Sequence, residues 1–525
     1  MKPRRKRKFG LEMAAKDMVA VGRVEPNRVR LWLRSEHPGE CQISVQGPEP
    51  GKPISGTVQV QEGNPDDNTL GFWFPTDSSK HLDPLTLYEF SITRVQDGRI
   101  LGTGRFQTAP ASPDKTPAKF AFAIVSCHQP FSSVGLLQPD AMVLWRVLAE
   151  AFQKWDVKFA ILTGDQIYSD EPDNYGFDDL YYTHTKVRPD LVRPNGEPIP
   201  IFEWKASDVR DAFQKRYRIF WSMEEAQRIL AEYPCYYIFD DHEVIDDWGS
   251  KLDHAEPGFH DFKSGALQAY CDYQASRVGS VASESGPFDY AFEYGNVAFF
   301  VFDLRSERRG GGHGRLFSDE QYDRFEQFLK NHGDKHALFI VTSVPVIHLP
   351  EIAVQTGLSD LPDHWGYGRN RLMRDRVLRV LFDHQERHPD QRIAFLGGDV
   401  HIGVAFGIHW TPDQQNKIYQ FTSSAVSNKL RSLDGFALQK AVRLLNLLEC
   451  KFRVGDLTAK VELLRGENTS DWPWESDLFR NPFSGLNVGI IEVEDKGHSS
   501  SLRYRMVSYS KNHRHPKEKW VSKPL

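Results

Sequence analysis

Four short polar clusters each follow an apolar run: Ser126-Cys127-His128-Gln129 after AFAIV, Gly164-Asp165 with Tyr168 after FAILT, Asp240-Asp241-His242-Glu243 after CYYIF, and Gly398-Asp399-Val400-His401 after RIAFLG. A thiol, a phenol, imidazoles and several carboxylates at the ends of buried runs are a metal-binding inventory. A lone Gly-Asp after a strand is an ordinary turn or helix cap. Four such ends in one chain point to a metal-dependent hydrolase. Asp165 suits a bridging role, because each carboxylate oxygen can take one cation of a pair spaced about 3.5–4 Å. Beside a metal Cys127 is a thiolate ligand rather than a small buried hydrophobe. Tyr168 as a phenolate suits a hard trivalent ion, so the pair favours Fe(III) over zinc. Asp241 and Asp399 are assigned to a second, oxygen-rich metal and His401 to the first. Asp399 and His401 reach one site if the segment stays extended, with Val400 pointing away.

His242 is the candidate proton donor to a leaving oxygen, or an electrophile towards a phosphoryl group. Asp240 or Glu243 would then orient its imidazole, while Asp246 and Asp247 are read as structural. Arg305, in FDLRSERRGGGHGR (302–315), follows a buried run and is the candidate clamp for phosphate oxygens. The glycines behind it predict a mobile loop, in which His313 is a weaker candidate of the same kind.

The elements that must hold these residues follow from periodicity. After a basic tail (1–17), residues 18–108 alternate apolar and polar positions: in RVRLWLR, Val29, Leu31 and Leu33 face one way and Arg30, Trp32 and Arg34 the other. That predicts an immunoglobulin- or fibronectin-like β-sandwich. A proline-bearing linker (109–119) leads to an α/β layered catalytic domain over 120–510, and 511–525 reads as a tail. In that domain strands at 120–126, 159–163, 236–240, 297–303, 337–342 and 393–397 alternate with helices at 139–154, 208–231, 318–332 and 370–388. The site belongs at the carboxyl ends of the strands. Ser318 with Gln321 predicts a capping box. The insertions at 170–205 and 249–290 read as irregular pocket walls, 435–449 as an amphipathic helix, and 485–494 and 502–507 as closing strands.

With its SC, GDxIY, DDHE and GDVH motifs the chain resembles the PhoD-like alkaline phosphatase and phosphodiesterase family, within the calcineurin-like metallophosphoesterase superfamily. The resemblance implies a four-layer catalytic sandwich behind the N-terminal β-sandwich. It also implies iron held by Cys127, Asp165, Tyr168 and His401, and calcium or another hard ion (Mn, Mg or Zn as substitutes) held by Asp165, Asp241 and Asp399. Carboxylates at 241 and 399, where the wider superfamily usually has Asn and His, make the second position more anionic. The implied activity is binuclear hydrolysis of a phosphate ester, with a hydroxide on the metals attacking phosphorus. Monoesters, diesters and phospholipids of a phospholipase D-type reaction all remain open as substrates.

Composition sets the outer bounds. A net charge of −6 gives no overall electrostatic reason to hold nucleic acid. The five cysteines are scattered without CxxC spacing, which argues against a disulfide framework. No apolar run reaches the roughly 20 residues that span a bilayer. The basic start lacks an apolar signal core, so a cytoplasmic location is expected. The alternative from another class is a catalytically silent binding module built on the sandwich; it predicts that some ligand types have been lost, and all four clusters keep theirs. Oligomeric state is not legible.

Overall fold

The computed structural model describes residues 17–525 apart from 50, 52, 64, 133–134, 139, 171–189, 252, 280–282, 311–313, 349–360, 411–416, 429–450, 468–479 and 511. The expected helix at 435–449, most of the 170–205 insertion and His313 lie outside the described residues.

Seven strands form the N-terminal unit: β1 (Met18–Val24), β2 (Val29–Arg34), β3 (Gly39–Gln46), β4 (Ile54–Val60), β5 (Thr69–Phe74), β6 (Leu87–Arg94) and β7 (Ile100–Gln107). They pair antiparallel as β1-β2-β5 and β4-β3-β6-β7, the β-sandwich that the alternation predicts. In β3 every second residue is buried, but in β2 all six are. The second face of β2 is not solvated because it packs on the unit that follows. There Trp32 Nε1 donates to the Asp272 carbonyl (2.8 Å) and Arg30 Nε to the Ser276 carbonyl (2.7 Å). A Cβ on Gly22 would come within 1.9 Å of the Arg277 carbonyl, so the closeness of the two backbones requires glycine there.

The second unit, from Lys119 onward, packs two sheets face to face. The first begins with β8 (Lys119–Val125), β9 (Val157–Thr163) and β10 (Cys235–Ile238), all parallel, and ends with β19 (Val488–Asp495), β20 (Ser500–Tyr509) and β21 (Pro516–Val521), in the order β10-β9-β8-β19-β20-β21. The stretch read from sequence as a tail thus supplies an edge strand, paired with β20 through Arg505–Val521 and Met506–Trp520.

The second sheet runs β11 (Tyr290–Tyr294), β12 (Val297–Val301), β13 (Ala337–Val341), β14 (Arg392–Gly397), β16 (Lys417–Thr422), β15 (Val404–His409), β18 (Leu457–Leu463) and β17 (Lys451–Val454), with β12, β13, β14 and β16 parallel. Aromatic rings join the sheets: Phe122 stacks on Phe159 and meets Phe299 and Phe339 edge-on. Helix Val143–Lys154 covers the first sheet. The far face of the second is sealed by Asp319–Asn331 and Asn370–Arg387, through Phe325, Phe328, Leu378 and Leu381. The result is a four-layer α/β arrangement behind a β-sandwich. Ser318 caps its helix by accepting from the Gln321 amide (3.2 Å), but the predicted capping box is only half formed, because the Gln321 side chain bonds Asp303 and the Ser318 amide donates to Glu307 (3.2 Å) instead.

Two sequence readings change. The single helix expected at 208–231 is two, Ala206–Trp221 and Glu224–Glu232, broken at Ser222-Met223. The 249–290 insertion is not irregular throughout: His260–Tyr270 is helical, widens to a π turn over Cys271–Ala275 and continues to Val278. Among the described residues no helix is long and apolar enough to cross a membrane.

Candidate metal centre

The four polar clusters leave the carboxyl ends of β8, β9, β10 and β14, and the sheets bring them together. Cys127, Asp165, Asp399 and His401 all adopt left-handed backbone conformations, with φ of +56°, +56°, +61° and +55°. Non-glycine residues seldom do so, and such strain collects where side chains must be aimed. The two flanking glycines make room. A Cβ on Gly164 would lie 2.4 Å from Asp240 Cβ, and one on Gly398 would lie 2.2 Å from Ser126 Oγ. The Asp399–His401 segment is therefore a tight turn rather than the extended stretch expected, with the His401 amide bonded to the Asp399 carbonyl at 2.9 Å. Both side chains still reach the centre.

Four groups of ligand atoms, each within 4.8 Å, result among the described residues; beside Asp165-Asp241-His242 and Asp241-Asp246-Asp247, the two that gather the strand-end clusters are Cys127, Asp165 and His401, and Asp165, Asp240, Asp241 and Asp399. Asp165 belongs to both, as a bridging carboxylate must. The Cys127 Sγ lies 3.2 Å and the Tyr168 hydroxyl 3.4 Å from Asp165 Oδ2, and that hydroxyl is 3.2 Å from His401 Nε2. Ser424 Oγ lies 2.9 Å and Ser126 Oγ 3.0 Å from the sulfur, hydroxyls able to steady a thiolate. His128 is not part of the set; its Nδ1 accepts from Trp145 Nε1 at 3.1 Å in the core.

Asp165 Oδ1, Asp240 Oδ2, Asp241 Oδ1 and His401 Nδ1 are buried with no hydrogen-bond partner. Buried polar atoms are rarely left so, because stranding one costs about 1–3 kcal/mol. Burial, reinforced by neighbouring acids, pushes the Asp165 and Asp399 carboxyls well above the usual range and Asp240 up to about 7. It also raises the Cys127 thiol to about 11 and lowers His401 to about 4. Without cations these acids cannot all ionise together, and with cations the same burial strengthens the attraction. The donor set thus fits two metal ions, a mixed sulfur, nitrogen and oxygen set beside an all-carboxylate one.

His242 lies beside this centre, its ring 4.0 Å from that of Tyr168. Neither Asp240 nor Glu243 orients it, against the sequence expectation. Asp240 accepts from Arg305 Nε and from Ser343 Oγ (2.9 Å), and Glu243 accepts backbone amides. The partner of His242 is Asp170, whose Oδ1 takes the Nδ1 proton at 2.7 Å. Burial pushes the Asp170 carboxyl up, but the His242 imidazole and local hydrogen bonds outweigh it and hold the group below the usual range. Asp170 ends the stretch that begins with Gly164-Asp165, and its place there was the available signal. Asp247 acts as a support, its amide donating to Asp241 Oδ2 at 2.6 Å, and Lys251 lies 3.3 Å from its own carboxylate.

Arg305 does not present a free fork to a phosphate. It is fully buried, bidentate to Asp363 (2.8 Å at Nη2), bonded to the Trp248 carbonyl (3.1 Å) and paired with Asp240. Its role in the geometry is to position Asp240, with Nη2 3.5 Å from Asp241 Oδ1. Asp363 was missed because nothing in its local sequence marks it; Arg305 and Arg308 make it a buried anion.

The family model for "PhoD-like phosphatase" matches residues 122–444. A solved structure titled "Structure of PhoD" aligns over 98% of this chain and 93% of its own, at TM-score 0.62 and 16% identity, a likeness of fold. A calcium-binding mutant of Bacteroides uniformis beta-glucuronidase 2 (TM-score 0.27, 10% identity, 94% of this chain and 61% of that one) is too distant in shape to carry an argument. The same holds for Ruminococcus gnavus beta-glucuronidase (TM-score 0.25, 10% identity, 73% and 53%). No curated protein sequence matches the chain.

Proposed function

Because this chain belongs to the PhoD-like phosphatase family, and so is a metal-dependent phosphoester hydrolase, we propose that the strand-end cluster is a binuclear centre that hydrolyses phosphate monoesters or diesters. The observation that carries this reading is the convergence of four carboxylates, of which Asp165, Asp240 and Asp241 are buried and each keep an oxygen without a hydrogen-bond partner, in a cluster that shares Asp165 with Cys127 and His401. Cys127, Asp165, Tyr168 and His401 would hold iron as Fe(III). Asp165, Asp240, Asp241 and Asp399 would hold a hard ion such as calcium, Asp240 being the addition that the geometry makes to the sequence reading. Cations bound there supply Lewis acidity, acidify a water and draw charge from the phosphoryl oxygens.

The remaining steps belong to the chain. The Asp170 carboxylate holds His242 by Nδ1, which leaves Nε2 to carry the transferable proton. His242 Nε2 gives that proton to the leaving oxygen as the P–O bond breaks. Tyr168, whose ring lies against the imidazole at a 30° tilt, limits its rotation. Arg305 anchors Asp240 from behind, so the carboxylate cannot turn away from the cluster. The test is a substrate panel of p-nitrophenyl phosphate, bis-p-nitrophenyl phosphate and a phospholipid, each assayed with calcium and with chelator. Turnover of at least one that chelator abolishes is expected, and activity indifferent to chelator would end the proposal.

A further inference from the structure

The helix that begins at His260 widens into a π turn at Cys271–Ala275, and such turns rotate the following side chains out of the regular register. Gln274, within that turn, is fully buried. Its Nε2 donates to Glu243 Oε1 at 2.9 Å and to the Tyr217 hydroxyl at 3.0 Å. Glu243 in turn gathers backbone amides from both ligand loops: Asp165 N (2.9 Å) and Asp240 N (2.8 Å) on Oε2, and Gln166 N (2.7 Å) on Oε1. One carboxylate thus ties the end of β9 to the end of β10.

The same turn is gripped from the other side by the N-terminal sandwich, through the bonds of Trp32 and Arg30 to the Asp272 and Ser276 carbonyls. Arg277, one residue on, is wedged between Trp32 and Trp221, its guanidinium carbon 4.0 and 4.1 Å from the two rings.

We infer that Gln274 is a positioning residue for the metal centre, and that the N-terminal β-sandwich holds the π turn from which Gln274 fixes Glu243 and, through it, the loops bearing Asp165 and Asp240. Without that donor, Glu243 loses the only side chain among the described residues that donates to its carboxylate, and the two ligand loops are free to part. The sandwich is then a buttress of the active centre, which its distance along the sequence does not suggest. The inference rests on the metal-centre reading only for its consequence, retention of the ions.

Gln274→Met keeps the length and removes the donor. In the metal-free protein, amide hydrogen exchange at Asp165, Gln166 and Asp240 should quicken about tenfold or more while the amides inside β9 stay within about twofold. In the loaded protein, chelator should strip bound metal about tenfold faster. Three amides and a metal release rate that match the wild type would overturn the inference, as would an equal quickening across the whole core. Trp32→Phe keeps an aromatic ring but removes the Nε1 donor with part of the indole that Arg277 packs on, so it tests the outer link as a whole and serves if the first variant does not fold. The same three amides should quicken by about threefold, and no change would remove the sandwich from the account. A wild-type protein that retains no metal would overturn the metal reading instead, and the exchange result would still decide the role of Gln274.

Discussion

Two regions of this molecule keep charged side chains from water, and they differ in how those charges are paired. At the seam between the sandwich and the catalytic domain, Asp67 takes Arg34 at 2.9 Å, Arg218, and the Tyr273 hydroxyl at 2.5 Å. Asp272 is met by Arg210 at 2.9 Å and Gln214 at 2.7 Å. At the strand-end cluster, Asp165, Asp240, Asp241 and Asp399 crowd together with Arg305 as their close cation, and an oxygen of each of Asp165, Asp240 and Asp241 has no hydrogen-bond partner. The seam balances its charge internally and serves as cement. The centre is left unbalanced, the arrangement that the proposed metal ions would complete.

The sharpest way to break this comparison is to neutralise one acid in each region. Asp165→Asn should lower turnover by about a thousandfold, the several kcal/mol that metal-assisted charge stabilisation supplies. In the metal-free protein the same change should raise the unfolding midpoint, because it removes one of a set of mutually repelling acids. A metal-free Asp165→Asn protein less stable than the wild type would contradict the comparison. Asp67→Ala should do the reverse. It leaves buried Arg34 and partly buried Arg218 without their shared anion and should cost about 3 kcal/mol in denaturant unfolding, with little change in turnover by the folded fraction.

A smaller effect separates proton donation from metal holding within the centre. His242→Asn should slow an alkyl phosphate ester by about a hundredfold and a nitrophenyl ester by less, since a good leaving group departs without an acid. Equal losses would make His242 an electrophile for the phosphoryl oxygens. Loss of bound metal would make it a ligand, as its nearness to Asp165 and Asp241 allows.

The smallest effect is a slope. Asp240 has its folded pKa raised to about 7, and Asp165 and Asp399 are raised well above the ordinary value, all by burial first. For a carboxyl raised on folding, the native state binds more protons than the unfolded one, so stability falls as pH rises from the unfolded pKa near about 4. Asp67 is the opposite case: burial pushes it up, Arg34 and Arg218 more than offset that, and its net shift is downward. Its contribution is complete above about 4 and is lost only as pH falls below that value. Between about pH 4 and 7 the metal-free Asp165→Asn protein should therefore gain unfolding midpoint relative to the wild type as pH rises, because it lacks one carboxyl raised on folding. A difference between the two proteins that shrinks as pH rises over this range would contradict the assignment.

The contrast also marks what could be read from the sequence. Cys127, Asp165, Asp241, Asp399 and His401 were legible because each follows a buried run within a few residues, so local pattern alone places it at a strand end. The partners that tune them were not. Asp170 reaches His242 across 72 positions, and Asp363 reaches Arg305 across 58. Arg305 read as a surface clamp because its acidic partners are remote in sequence. Alternation in β2 separated its two faces but could not reveal that the one bearing Arg30 and Trp32 meets a neighbouring domain, and β21 was passed over because Pro516–Val521 is polar for a strand.

Metal analysis of the purified protein tests the central claim most directly. The account predicts about two cations per chain, one of them iron, with a visible phenolate-to-iron band that Tyr168→Phe shifts or bleaches, and about one fewer cation in Asp399→Ala. A colourless protein that holds no stoichiometric metal and hydrolyses phosphate esters at full rate in excess chelator would contradict it.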